Sequence, residues 1–268
     1  MRDVALISPQ RVRDPLLLLL ILAGLFFGLA PLLAPKQFGD LFGFQAKDIF
    51  LYRLAGAATL GYGVSLLLGF RSPWREIRIL IASTAVFNVS SIAACVVAIA
   101  QGGAQWVVYL ILLASILFTA GTLYLLMNPP LRAGESDAPS GGRDVAQWIV
   151  ALFAIGVAAS LVFGLGPLVA GGGFGRALGF PGLDDFIYRQ AGAATFGASV
   201  GGLIVLQTQR WRETRLPALA GVTFNATSAI AALIEIANGG AQPVAYVILV
   251  TAVVVTIGMA LAVQRNGR

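Results

Sequence analysis

FLYRLAGAATLG at Phe50–Gly61 is written again as FIYRQAGAATFG at Phe186–Gly197, 136 positions later, with nine of twelve residues identical. Working outward, FGLAPLLA (Phe27–Ala34) recurs as FGLGPLVA (Phe163–Ala170) at the same offset. WREIR (Trp74–Arg78) recurs as WRETR (Trp211–Arg215) and GGAQ (Gly102–Gln105) as GGAQ (Gly239–Gln242), both at an offset of 137. One inserted residue separates the two blocks of matches. A unit of roughly 130 residues is too long for a solenoid repeat and long enough to form a bundle of its own. The chain reads as one unit duplicated in tandem: residues 1–127, a linker over 128–145, and residues 146–268.

The unit is built for lipid. Hydrophobic residues make up 58% of the chain and charged residues 11%, against about 45–50% and 25% in soluble domains. The mean hydropathy is +0.85. Eight stretches approach or exceed the roughly 20 apolar residues a membrane-spanning helix needs: 15–34, 50–70, 77–100, 105–127, 147–170, 186–206, 216–237 and 243–264. Because lipid offers no hydrogen bonds, each backbone must satisfy itself, so the expected class is all-α, a polytopic membrane protein. The alternating pattern of an outer-membrane barrel is absent. Arg11 and Arg13 before a Leu-rich run imitate a signal peptide. The matching segment 147–170 is internal, however, and both share the Pro31/Pro167 motif, so the first segment reads as a retained helix.

Basic residues set the orientation. With the N-terminus in the cytoplasm, Arg2, Arg11, Arg13, Arg71, Arg75, Arg78, Arg132, Arg143, Arg210, Arg212, Arg215, Arg265 and Arg268 fall inside, thirteen of the eighteen. Lys36, Lys47, Arg53, Arg176 and Arg189 fall outside. Four helices per repeat bring each repeat back to its starting side, so both termini are cytoplasmic. The repeats are then parallel, related by a pseudo-twofold axis along the membrane normal, and an inverted repeat is excluded. The expected location is the bacterial inner membrane. The net charge of +6 is thus topology, and no nucleic-acid partner is expected. Asn128–Arg143, rich in Pro, Gly, Ser and charge, reads as a flexible connection. The longer Phe/Gly loops 35–49 and 171–185 read as segments lying at the interface.

One cysteine, Cys95, and no histidine leave no disulfide, CxxC pair or His-ligated metal or haem. No metal site and no cofactor are expected, and no nucleophile–base pair or carboxylate dyad stands out. The candidate residues are polar groups within the spans. Arg53 and Arg189, beside Tyr52 and Tyr188, enter their helices about four residues below the outer boundary. There they either snorkel to the headgroups or bind a carboxylate or phosphate. Asp48, Asp184 and Asp185, just before them, are alternative partners. Asn88 and Asn225 lie near the bilayer midplane, where amides bond across helices or line a cavity. Glu235 faces Ala98 in the repeat register, and its conservative partner is Arg189 at the same depth; proton or cation coupling is the alternative. Ala57-Gly61-Ser65 and Ala193-Gly197-Gly201 form small-residue stripes, with Gly56 and Gly192 on a second shared face, and these read as helix packing, the alternative being glycines that clear space for a ligand.

Through Arg53-Leu54-Ala55-Gly56 and Arg189-Gln190-Ala191-Gly192, each half resembles the small four-helix bacterial membrane proteins of the DoxX-like and related uncharacterised families. The resemblance implies a four-helix unit present twice and an association with redox homeostasis. Two functions are expected. One is a transporter or small-molecule or lipid-binding protein, with a site between the repeats lined by Arg53, Arg189, Asn88, Asn225 and Glu235. The other is an accessory or scaffold subunit of a membrane complex. The expected partners are the bilayer, an anionic lipid or small-molecule ligand, and a membrane protein; an enzyme is the less favoured reading.

Overall fold

The computed structural model describes residues 8–102, 104–131, 142–239 and 241–266, and every regular element in them is a helix. In chain order these are α1 (Pro9–Leu33), α2 (Pro35–Phe42), α3 (Ile49–Leu68), α4 (Trp74–Ala100) and α5 (Trp106–Met127). They are followed by α6 (Gln147–Ala170), α7 (Gly172–Ala177), α8 (Asp185–Thr208), α9 (Trp211–Ala237) and α10 (Pro243–Asn266). All but α2 and α7 are long and apolar enough to cross a membrane. At 1.5 Å per residue, even the 20 residues of α3 match a hydrocarbon core of about 30 Å.

The helices run past the apolar spans. α1 begins at Pro9 and α9 at Trp211, because the backbone ladder continues into the interface, where Arg11 and Arg212 are exposed. Proline suits the first turn, whose N–H has no partner in any case. Of the linker, residues 132–141 lie outside the described residues, as do Arg2, Arg132 and Arg268 of the basic set. The linker's far end is anchored: the Asp144 and Val145 N–H groups donate to the Gln209 carbonyl at 3.0 and 3.2 Å.

The Phe/Gly loops contain the two short helices. Gly43 closes α2 in the left-handed region at φ 77°, and Gly179 follows α7 at φ 87°, a conformation glycine adopts without strain. Each turn is tied by the next phenylalanine, Phe44 N–H to Gly39 O at 2.9 Å and Phe180 N–H to Gly175 O at 3.0 Å. The rings fold inward: Phe38 packs edge-on to Tyr52, and Phe42 lies against Trp106.

Within each half, α1 packs on α3 and α4 on α5, as α6 packs on α8 and α9 on α10. Between the halves, α3 meets α8 and α9, and α4 meets the same two. The small residues make these approaches close. A Cβ on Gly56 would come within 2.6 Å of the Gly28 carbonyl oxygen, so this face packs on α1. The Ala57-Gly61-Ser65 stripe faces the other half, with Gly61 against Ala220 and Phe224, and Gly197 lies against Ser83 and Phe87. Glycine therefore serves backbone approach in both directions.

Candidate functional site

The two halves are locked at both ends. At the end where α3 and α8 begin, Asp184 of the second half accepts the Gln45 and Lys47 N–H groups of the first, each at 3.1 Å. Asp48 of the first half accepts the Leu183 N–H of the second at 3.1 Å. Tyr52 is buried with its hydroxyl beside the Asp184 carboxylate, and Tyr188 with its hydroxyl beside that of Asp48. Burial pushes the Asp48 carboxyl above its ordinary 3.8, opposed by the Leu183 N–H and reinforced by the Asp184 charge. At the other end, the repeated WRE sequences exchange charges. Arg75 reaches Glu213 at 3.3 Å, and Arg212 reaches Glu76 at 2.9 Å. Glu213 is 1% exposed and also receives Arg78 at 2.8 Å and Arg210 at 3.6 Å. Arg13, read above as a topology charge, is buried and caps the α3–α4 turn through the Phe70 and Ser72 carbonyls.

The candidate polar residues do not converge. Arg189 donates to Asp185 at 2.7 Å and to the Leu168 and Val169 carbonyls at 2.8 and 2.7 Å. That set corrects the expected Glu235–Arg189 ion pair: Asp185, one helical turn away, occupies the guanidinium. Glu235 has no hydrogen bond or ion pair among the described residues. Arg53 likewise has none, and its Nε and Nη1 are enclosed. Asn88 and Asn225 each donate to their own helix four residues back, to Thr84 O and Gly221 O at 2.8 Å. Neither bond crosses between helices, which corrects that expectation too.

The crossing bonds come from residues with weaker sequence signals. Tyr62 donates to Ala194 O at 2.9 Å and Ser83 to Gly197 O at 2.6 Å. Ser91 donates to Gln190 at 2.9 Å and receives Ser115 at 3.0 Å. The repeat register holds the signal that finds Gln190: its counterpart is Leu54, one of the few differences inside the most similar stretch. Leu54 offers Ser228, the counterpart of Ser91, no polar partner, and the Ser228 hydroxyl is buried without a hydrogen bond.

Ser228 and Asn225 line an open-sided cavity of about 590 Å³ bounded by α3, α4, α6, α7, α8, α9 and α10. None of its lining residues is charged; the polar ones are hydroxyls and the Asn225 amide. Tyr188 also reaches it, whereas Tyr52, Arg53, Asn88, Arg189 and Glu235 do not. Along α8 it runs from Tyr188 to Gly202, about 21 Å at helical rise. Its origin is legible in the register. Leu20, Leu66, Thr84 and Phe118 of the first half correspond to Gly156, Gly202, Gly221 and Val255 of the second. In the first half Leu20 and Leu66 are core and Phe118 packs on them; in the second, all four smaller residues face the cavity. Accordingly, 61% of the apolar window of α4 is buried but only 22% of that of α9.

Eight apolar helices make this an integral membrane protein. No protein family, curated protein or solved structure matches the chain.

Proposed function

We propose that the protein binds a lipophilic molecule drawn from the bilayer in the cavity between the helices of its second half and α3 and α4 of the first. The observation that carries this reading is an uncharged, predominantly apolar cavity of about 590 Å³, within the roughly 300–1,000 Å³ of small-molecule sites. An apolar void of that size costs its lining the dispersion contacts a ligand would restore. A hydrophilic ion or solute would instead lose its hydration there for no charged partner. Of the sequence-level candidates, Asn225 and Tyr188 belong to this site, and the unpartnered Ser228 hydroxyl adds a polar contact near the middle of α9.

The proposal includes two parallel repeats about a pseudo-twofold axis, with the first half closed by its larger side chains. The reciprocal Asp48/Asp184 and Glu76/Glu213 contacts support that arrangement. The bias of arginines toward the WRE end supports placing it, with both termini, in the cytoplasm of a bacterial inner membrane. Kinship with DoxX-like proteins belongs to the same proposal and rests on Arg53–Gly56 and Arg189–Gly192 alone.

The test is to rebuild the first half's filling. Gly156 has open space where a Cβ would stand, so Gly156→Leu combined with Val255→Phe should obstruct the middle of the cavity without a backbone clash at Gly156. Native mass spectrometry of the full chain in mild detergent should show a lipophilic adduct on the wild type that the double variant loses. Equal adducts on both proteins, or none on the wild type after incubation with membrane lipid extract, would refute the reading.

A further inference from the structure

The first half carries a guanidinium whose partner exists only in the second. Arg189 is paired with Asp185 and bonded to two carbonyls at the end of α6. Arg53 occupies the corresponding position on α3, yet the counterpart of Asp185 is Ile49. Among the described residues Arg53 makes no hydrogen bond or ion pair, and its Nε and Nη1 are buried. The nearby Asp48 is turned to the other half, where it accepts the Leu183 N–H. Arg53 stands four residues into α3, about 6 Å along the helix, at a depth where an uncompensated charge is unfavourable and a counter-ion is correspondingly stabilising.

We infer that Arg53 is a binding site for a phosphate-bearing anion at the end of the molecule where α3 begins. Phosphate matches the planar donor fork of arginine better than it matches a point charge. Lys36 and Lys47, both exposed at this end of the first half, add positive charge there, set against Asp40 on α2 and the buried Asp48 and Asp184, both engaged by backbone N–H groups. The phosphate arrives either on a lipid headgroup or free in solution. The site is separate from the cavity, whose lining excludes Arg53.

The repeat supplies its own control, since Ile49→Asp gives Arg53 the internal partner that Arg189 already has. The full chain in neutral detergent is titrated with mixed micelles of anionic phosphatidylglycerol or zwitterionic phosphatidylcholine, and separately with inorganic phosphate, and bound adducts are counted by native mass spectrometry. The wild type should retain one phosphate-bearing ligand. Ile49→Asp and Arg53→Gln should weaken it roughly tenfold or more, the range of a lost charged hydrogen bond, while Ile49→Asn leaves it unchanged. Preference for phosphatidylglycerol without response to inorganic phosphate assigns the lipid source; a comparable response to inorganic phosphate assigns the free anion. Wild-type binding that survives Arg53→Gln, or no binding of any of the three probes, overturns the inference.

Discussion

At the scale of single residues, two aspartates in equivalent positions are held differently. Asp184 accepts a backbone N–H on each oxygen at 3.1 Å, whereas Asp48 holds the Leu183 N–H on one oxygen and lies beside the buried Tyr188 hydroxyl. In Asp184→Asn the new NH₂ must face one of the two N–H groups, so this variant should lose about 1–3 kcal/mol. Asp48→Asn keeps an acceptor for Leu183 and removes a buried charge, so at neutral pH it should be as stable as the wild type or more so. Asp48 also makes a pH prediction. Because the folded Asp48 lies above the unfolded 3.8, the folded chain holds this proton more tightly. Its contribution to stability is complete below pH 3.8 and is lost as pH rises through the raised folded value. Thermal unfolding should show the wild type losing stability relative to Asp48→Asn as pH climbs through that window. A wild type that gains on the variant over the same range would contradict the assignment.

At the scale of helices, the informative comparison is between copies. α4 and α9 share Asn and Ser at equivalent positions, and their sequences alone do not reveal which is the better packed. The difference lies in what their neighbours present: Leu66 and Phe118 around one, Gly202 and Val255 around the other. Gly156→Leu tests this within α6. Replacing glycine in a helix interior gains about 0.8–1 kcal/mol in propensity alone, and the leucine side chain would enter the cavity. The variant should melt higher than the wild type in detergent without added lipid. A lower melting temperature would mean that the space around Gly156 is already occupied.

For the whole molecule, the charge exchange at the WRE end bears unequally on stability. Glu213 is almost fully buried among Arg75, Arg78 and Arg210, and removing it would leave buried guanidinium charge without its acid. Glu213→Ala should cost about 3–5 kcal/mol, the range for breaking a buried pair. Glu76 meets Arg212, whose side chain is 65% exposed, and Glu76→Ala should cost about 1 kcal/mol or less. Thermal unfolding of both variants checks the contrast, and equal losses would show that the two exchanges are equivalent. The lock and the cavity are separate features: the first joins the halves at their ends, while the second opens between them toward α6 and α10.

The helical class and the eight spans follow from the chain itself, because lipid forces each apolar segment to close its own hydrogen bonds whatever its neighbours. Helix ends were less legible, since hydropathy measures contact with lipid and the ladder runs on into water. The candidate site was legible only in part. Asn225 and Tyr188 are in the cavity, but Asn88 bonds to its own helix, Arg189 is taken by Asp185 and Glu235 stands apart. The duplication held the clue in Leu20, Leu66, Thr84 and Phe118 set against Gly156, Gly202, Gly221 and Val255. Those differences become a cavity only when four helices bring the smaller side chains to one place. Local hydrogen bonding and solvent determine an element along the chain, whereas the space left between elements depends on volumes summed across helices far apart in sequence, and only the tertiary structure performs that sum.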